Sequence, residues 1–308
     1  MTTKRYCKPK SHTLILEFIC SQITQLQSHL RLGTAQNYKK ALQSFSTYLK
    51  GKDIPIQLIN KTLINDYNSF LLQRGMVRNS TSFYMRILRA VYNKAVEQRL
   101  VAQSHPFSDV YTGIDQTHKR AIDESVIVKL YKMNLAEEPE LALARDLFIF
   151  SYSTRGMAFI DISHLKKCNL NNGHIYYIRR KTGQKMNIKI EPCIEHIIKR
   201  YYSSDSEYVF PLLTSTDKAI AYRQYQKALN KYNRLLHKLS EYLPGNYCLT
   251  SYVARHSWAT AARNHNIPIS VISSGMGHTS ERTTQIYLQL LENSVVDRAN
   301  HKILRNLR

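Results

Sequence analysis

Apolar residues recur at three- and four-residue intervals through most of the chain, which predicts a largely helical protein. Leu14 to Leu30 gives one helix. Thr34 to Gly51 gives a second: Thr34 suits an N-cap, Tyr38, Ala41, Leu42, Phe45 and Leu49 share a face, and Gly51 suits the stop. Thr62 to Arg74, ended by Gly75, and Ser80 to Gln98 complete the set, the last with Ile87, Leu88, Val91 and Ala95 on one face. Residues 11–102 therefore read as a compact four-helix unit behind a short tail, 1–10.

Periodicity lapses between 103 and 122, where Ser104-His-Pro-Phe-Ser and Tyr111-Thr-Gly-Ile-Asp carry turn residues, so this stretch reads as a linker. Asp123 and Ser125 open a new helical pattern, and Pro139 fits the first turn of an apolar helix over Leu141–Tyr152. Alternation of the strand kind is confined to His174-Ile-Tyr-Tyr-Ile-Arg-Arg and Lys185-Met-Asn-Ile-Lys-Ile, around Thr182-Gly183, which predicts one hairpin. Helices resume over Pro192–Tyr202, Ala219–Tyr242, Thr250–Asn264, Ile269–Ser274 and Ser280–Glu292. The second unit, 123–308 with a tail from about 293, is thus mostly helical with a small antiparallel sheet. The fold class expected is mainly α, a helical domain followed by an α+β one.

Composition adds a partner. Hydrophobic residues are 43% of 308, enough for real cores, while 44 Lys and Arg against 22 Asp and Glu leave a net charge of +22. Such a surplus points to a polyanion, either nucleic acid or an anionic membrane surface. No uncharged apolar run approaches the roughly 20 residues of a membrane span; Leu141–Tyr152 is broken by Arg145 and Asp146. A membrane-surface protein would need a cationic helix with a free aromatic face, and the apolar faces here are taken up by cores. The N-terminus lacks the apolar core of a signal peptide, and the five cysteines are scattered and odd in number, which together predict a reduced, cytoplasmic protein. Within the first unit the cations gather as Arg74, Arg78, Arg86, Arg89, Lys94 and Arg99, a set suited to DNA phosphates.

The densest chemistry lies near the C-terminus. Tyr252-Val-Ala-Arg255-His256-Ser-Trp-Ala-Thr260 is followed by Gly275-Met-Gly-His278-Thr-Ser-Glu-Arg-Thr-Thr-Gln-Ile-Tyr287. These two strings resemble the tyrosine recombinase (phage integrase) family, the second keeping its Gly-His and a Tyr nine residues after the His. The resemblance implies a SAM-like four-helix core-binding domain joined to a catalytic domain of the DNA breaking-rejoining type. It implies a reaction through a 3′-phosphotyrosyl intermediate, with no cofactor, on double-stranded DNA, by a homotetramer holding two sites. It also implies roles: Tyr287 as nucleophile, Arg255 as a phosphate-binding arginine, His278 as a residue that assists the phosphate and orients the tyrosine, and Lys181 of the hairpin as general acid. The neighbours Arg179 and Arg180 are assigned to DNA binding. The Arg155-Gly-Met stretch resembles recombinases of Bacteroides-type bacteria, including DNA invertases. Accessory DNA-bending or directionality proteins are a further expectation.

Elementary chemistry asks for the same residue types. Conserving a phosphodiester's energy requires a covalent phosphate ester, and a tyrosine oxygen can form one, although a phenol with pKa near ~10 needs activation. The planar guanidinium fork suits the non-bridging oxygens, and a lysine or histidine can protonate the departing 5′-oxygen. Cations that supply this electrostatics make a metal unnecessary, and the sequence shows no carboxylate cluster of the magnesium kind.

Two positions depart from the family pattern Thr-Gly-x-Arg-x-x-Glu and its later His. If Gly156 and Asp161 align with that Gly and Glu, Ala158 stands at the arginine position. Arg155, three residues earlier, is then expected to reach the same phosphate if the local chain is helical, with Asp161 as a supporting carboxylate. Tyr252 occupies the usual His position, where a phenol can bond a phosphate oxygen but does not titrate near neutrality; His256 or His278 would cover part of that loss. These departures leave a second reading open, a catalytically weakened DNA-binding regulator. A DNA-relaxing enzyme of the type IB topoisomerase kind shares the tyrosine chemistry, but the helical N-terminal domain and short tail fit recombination better.

Overall fold

The computed structural model describes residues 13–115 and 121–288. The expected tails, 1–10 and from about 293, and residues 116–120 of the expected linker lie outside the described residues. The chain divides into two units, Met1–Gln116 and Thr117–Arg308.

In the first unit α1 (Ile15–Ser28), α2 (Leu32–Tyr48), α3 (Lys61–Gln73) and α4 (Arg78–Glu97) form where the periodicity places them. Their apolar faces meet: Phe45, Ile64, Tyr67, Leu71, Met85, Val91 and Ala95 are fully buried, with the Phe45 and Tyr67 rings edge-on at 4.9 Å. The Tyr67 hydroxyl donates to Ser44 Oγ at 2.8 Å, so the buried phenol keeps a partner. The helix ends show two departures. Helix α2 opens early, because the Arg31 carbonyl accepts the Ala35 N–H at 2.9 Å, and Thr34 sits inside the first turn rather than capping it. Helix α1 is capped from a distance: the Asp53 carboxylate accepts the Leu16 and Glu17 N–H groups at 2.9 and 3.0 Å, a favourable anion at a helix N-terminus.

Residues 103–115, expected as linker, belong to this unit. Phe107 and Val110 join its core. The segment then lies along α4: Ser82 Oγ donates to the Gly113 carbonyl at 2.5 Å, and Asn79 pairs with both the N–H and the carbonyl of Asp115 at 2.7 and 3.0 Å. The absence of periodicity misled because side-chain hydrogen bonds, not a repeating apolar face, order this stretch.

The second unit opens with α5 (Glu124–Lys132) and α6 (Pro139–Ser153). Helix α6 is buried on nearly every side, from Leu141 through Phe150, as a central helix must be when it lacks a polar face. The two charges that interrupt its apolar run pair inside it: Arg145 Nε donates to Asp146 at 2.5 Å, and Asp146 also accepts from Arg200 and the Tyr201 hydroxyl, each at 2.7 Å. Arg145 further donates to the Met133 carbonyl at 2.6 Å, beside the end of α5. A short α7 (Phe159–Ser163) leads to the sheet.

The sheet is antiparallel, β1 (Leu170–Asn171), β2 (His174–Ile178) and β3 (Lys185–Lys189), in that order. Its register pairs His174 with Lys189 and Ile178 with Lys185, which turns Ile175 and Ile188 to the core and leaves Tyr176 and Ile178 exposed. Strand β1, two residues long, is too short to leave an alternation in the sequence. Then follow α8 (Pro192–Tyr201), α9 (Lys218–Glu241), α10 (Val253–Asn264), α11 (Ile269–Gly275) and α12 (Glu281–Leu288). Among the described residues, no helix is long and apolar enough to cross a membrane.

Candidate active site

The site is built around the C-terminal end of α11. The Gly277 N–H bonds the Ser274 carbonyl at 2.9 Å and the His278 N–H bonds the Ser273 carbonyl at 3.0 Å, the paired bonds of a Schellman stop. Gly277 takes φ +64°, and a Cβ there would meet Met186 Sδ at 2.7 Å and Arg179 Cδ at 3.2 Å, so only glycine fits. The stop leaves three consecutive carbonyls turned outward, and each is taken by a different side chain. Arg255 of α10 donates to Met276 O at 2.6 Å; Arg179 donates to Gly277 O at 2.5 Å; Gln184 donates to His278 O at 3.0 Å. A helix C-terminus favours cations, which offsets part of the cost of burying two arginines side by side here.

Arg255 is 3% exposed. Its second Nη donates to the Gly156 carbonyl at 2.6 Å, and Nη2 also faces His278 Nε2 at 3.0 Å. Gly156, at φ +74°, exists to let it pass: a Cβ there would lie 2.7 Å from Arg255 Cγ and 2.8 Å from its Cα. His278 Nδ1 meets the buried Thr284 Oγ1 of α12 at 2.8 Å. Burial, then the fields of Arg255, Arg179 and Lys181, push the His278 pKa down to about 3, so it is a neutral imidazole at physiological pH.

Arg155 reaches the same cluster, but not by the route expected. The chain from 155 to 158 is not helical: α6 ends at Ser153, Arg155 adopts a left-handed φ of +60°, and the Gly156 N–H closes on Ser151 O at 2.8 Å. Sharing a helix face with position 158 therefore plays no part; Ala158 is the N-cap of α7. The Arg155 side chain runs over Gly275, its Cδ 3.6 Å from where a Cβ would stand, and Nη1 comes within 3.5 Å of Asn187 O. Tyr177 records the grouping. Burial and then Asp161 raise its phenol pKa, while Arg255, Arg179 and Arg155 all oppose the rise. Asp161 is 4% exposed; burial raises its carboxyl pKa, against the Arg180 N–H, which it accepts at 2.9 Å, and the charges of Arg179, Arg180 and Arg255.

Lys181 is exposed at the tip of the β2–β3 loop, whose Gly183 N–H bonds Arg179 O at 2.8 Å. Arg180 is exposed beside it. Arg179, assigned with it to DNA, is 6% exposed, and its guanidinium donates to the Gly277 carbonyl. Tyr252 is 53% exposed at the N-cap of α10, its ring 6.4 Å from that of His256. Tyr287 lies in the last turn of α12, one turn beyond Thr284; its side chain is outside the described atoms.

In the first unit the basic residues are partly engaged. Arg78 stacks 3.8 Å over Tyr111, Arg89 donates to Thr112 Oγ1 at 2.9 Å, and Arg86 reaches back to Ser82 O at 3.4 Å, forming one stripe along α4. Lys94 points elsewhere, to Gln22 Oε1 at 2.9 Å, and Arg74 lies over Phe70 at 5.4 Å.

The cluster gathers Arg255, Arg179, Arg155 and Lys181 against the buried carboxylate of Asp161. Such an excess of preorganised cations suits a phosphate whose charge grows during reaction. Among the described residues, no group of three His, Cys, Asp or Glu is placed to hold a metal ion. Sequence reasoning missed Gln184 and Tyr177, polar residues that carry no signal until the turn they meet is folded.

The model of the phage integrase SAM-like domain matches residues 14–110, and that of the phage integrase family matches residues 122–294. The chain is 21% identical over 290 residues to tyrosine recombinase XerD of Pseudomonas aeruginosa, covering 91% of this chain and 93% of that protein. It is 22% identical over 293 residues to XerD of Staphylococcus aureus, covering 92% and 96%. Among solved structures, a lambda integrase dimer bound to a COC' core site aligns with TM-score 0.65 at 14% identity, covering 89% of this chain and 77% of that one. The Tn1549 transposon integrase in complex with a circular intermediate DNA aligns with TM-score 0.62 at 15% identity, covering 90% and 95%. A lambda integrase tetramer bound to a Holliday junction aligns with TM-score 0.63 at 14% identity, covering 91% and 78%. With a shared fold, two matched domain models and relatives aligned over nearly their whole length, the chain belongs to the phage integrase family, the tyrosine recombinases.

Proposed function

We propose that this protein is a site-specific recombinase that cleaves and rejoins duplex DNA through a 3′-phosphotyrosyl link at Tyr287. The observation that carries the reading is the buried pair Arg255 and Arg179 on consecutive carbonyls of the turn that leads into the helix of Tyr287. Arg255 and Arg155 hold the non-bridging oxygens of the scissile phosphate. The Tyr287 oxygen bonds phosphorus as its proton passes to water, the bond to the 5′-oxygen breaks, and Lys181 gives that oxygen a proton. Neutral His278 holds Arg255 in place rather than moving a proton. The 5′-hydroxyl of a partner duplex then attacks phosphorus and releases Tyr287, so bond energy is conserved and no nucleotide cofactor enters. Four protomers on two sites accomplish the exchange, cleaving in pairs, and Tyr252 contributes a hydrogen bond to the phosphate where the family usually places a histidine.

The test is covalent trapping. Nicked duplexes made from DNA flanking the protein's own gene are incubated with wild type and with Tyr287→Phe, without magnesium, and run on denaturing gels. An adduct with wild type alone is expected. Specific binding without any adduct would sink the enzymatic reading and leave a DNA-binding regulator.

A further inference from the structure

The β2–β3 loop is fastened to the turn between α11 and α12. Arg179 Nη1 and Thr182 Oγ1 both donate to Gly277 O, at 2.5 and 3.3 Å, and Gln184 Nε2 donates to His278 O at 3.0 Å. Lys181 lies between these three anchors and is itself exposed. The glycine at 277 is what admits the loop so closely, since a Cβ there would collide with Met186 and press on Arg179 and Gln184. Nothing in a short hairpin fixes the position of a lysine at its tip; a flexible four-carbon side chain on a free loop samples many places. The anchors remove the freedom of the backbone beneath it.

Arg179 is an unusual choice for a merely structural anchor. It is buried with its Nε lacking a hydrogen-bond partner, in a cluster that already holds Arg255, and a neutral donor would bond one carbonyl at less electrostatic cost. A cation becomes favourable there once a phosphate enters, so the anchor strengthens when substrate is bound. We propose that Arg179, supported by Gln184, is a positioning residue: it clamps the hairpin loop to the Gly277–His278 turn and thereby sets Lys181 against the leaving 5′-oxygen. This rests on the recombinase reading. On it, one turn of backbone fixes both the general acid, through the clamp, and the nucleophile, through α12.

The clamp acts on leaving-group protonation, and that step can be chemically bypassed. In a nicked duplex whose scissile 5′-oxygen is replaced by sulfur, the Tyr287 oxygen still bonds phosphorus, but the breaking bond releases a thiolate. With a thiol pKa of about 8.5 that group departs without a proton donor, unlike an alkoxide. Adduct formation is timed on oxygen and sulfur duplexes with wild type, Lys181→Ala, Arg179→Ala, Arg179→Lys and Gln184→Ala. On the oxygen duplex, Lys181→Ala and Arg179→Ala are expected to lose on the order of 100-fold or more, the size of a general-acid contribution. Gln184→Ala loses less, and Arg179→Lys recovers part of the rate by keeping a donor to Gly277 O. On the sulfur duplex all four come within roughly tenfold of wild type.

An equal loss on both duplexes by Arg179→Ala and Gln184→Ala would overturn the clamp and assign Arg179 to the phosphate or to His278. An undiminished rate on the oxygen duplex would overturn it as well. Thermal melting accompanies each variant. If Arg179→Ala does not fold, Gln184→Ala, which vacates no buried charge, decides the matter by its oxygen-to-sulfur ratio. Failure of wild type on both duplexes would remove the recombinase reading itself, an outcome distinct from either loss above.

Discussion

Arg255 Nη2 faces His278 Nε2 at 3.0 Å, and this contact decides where the imidazole keeps its proton. A guanidinium only donates, so Nε2 accepts and the proton stays on Nδ1, toward Thr284 Oγ1. Protonating Nε2 would break the bond and set two cations together. Burial first, and then the charges of Arg255, Arg179 and Lys181, push the folded pKa from an ordinary 6.5 to about 3. Below pH 6.5 the unfolded chain takes a proton that the folded chain refuses, so this residue subtracts stability as pH falls from 6.5 towards about 3. Urea unfolding of wild type and His278→Asn from pH 7.5 to 4 is expected to show a shallower acid loss in the variant. Parallel curves would refute a depressed His278.

Arg155 holds a left-handed backbone that glycine adopts without penalty. Arg155→Gly is therefore expected to stabilise the fold by about 1 kcal/mol, the usual steric cost of that conformation. It should also reduce adduct formation by roughly 100-fold or more, the scale for losing one charge-stabilising group. Melting and trapping on the same preparation separate the two effects; a variant that cleaves at the wild-type rate would remove Arg155 from the site.

Gly156 and Gly75 have nearly the same φ, +74° and +75°, but only at Gly156 would a Cβ strike a neighbour, Arg255. Gly75→Ala thus reports backbone strain alone, and Gly156→Ala adds displacement of a buried guanidinium. The second is expected to melt lower than the first and to lose most cleavage. Equal melting shifts with intact cleavage would show that Arg255 tolerates the move.

Asp146 is the shared acceptor for Arg145, Arg200 and the Tyr201 hydroxyl. Asp146→Ala leaves Arg145, 6% exposed, without its counter-charge, and is expected to cost about 3 kcal/mol or more in urea unfolding. Arg200→Ala, removing the more exposed partner, should cost far less; the reverse order would contradict the burial argument.

Arg89 is exposed on α4 and gives one donor to Thr112. If it contacts a phosphate, Arg89→Ala weakens binding to all duplex sequences alike and flattens the dependence of log K on log salt by about 0.9. Binding measured across a salt series checks this, and an unchanged slope would take Arg89 off the DNA.

Helix α4 was legible because it buries one continuous face: Ile87, Leu88, Val91 and Ala95 are all buried as their spacing predicts. Arg255 and Tyr287 were singled out because they stand in long strings that resemble a family. Arg179 was not. In the sequence it is one of three adjacent cations, and only the closure of the hairpin sends 179 inward while 180 and 181 stay in water. The route of Arg155 was hidden for a related reason: a left-handed residue after a helix end reverses which face a side chain meets, and no periodicity records it. Segment 103–115 was misread because its order comes from single bonds to Asn79 and Ser82.

That segment has a practical consequence for dissecting the protein. A fragment cut at residue 102, where helical periodicity ends, would strip Phe107 and Val110 from the N-terminal core and leave Asn79 and Ser82 facing solvent. Its weak folding or altered DNA affinity would then be blamed on the missing catalytic half. A fragment carried through residue 115 takes its own covering with it, and comparing the two fragments measures how much of the basic stripe's behaviour belongs to Tyr111 and Thr112 rather than to α4 itself.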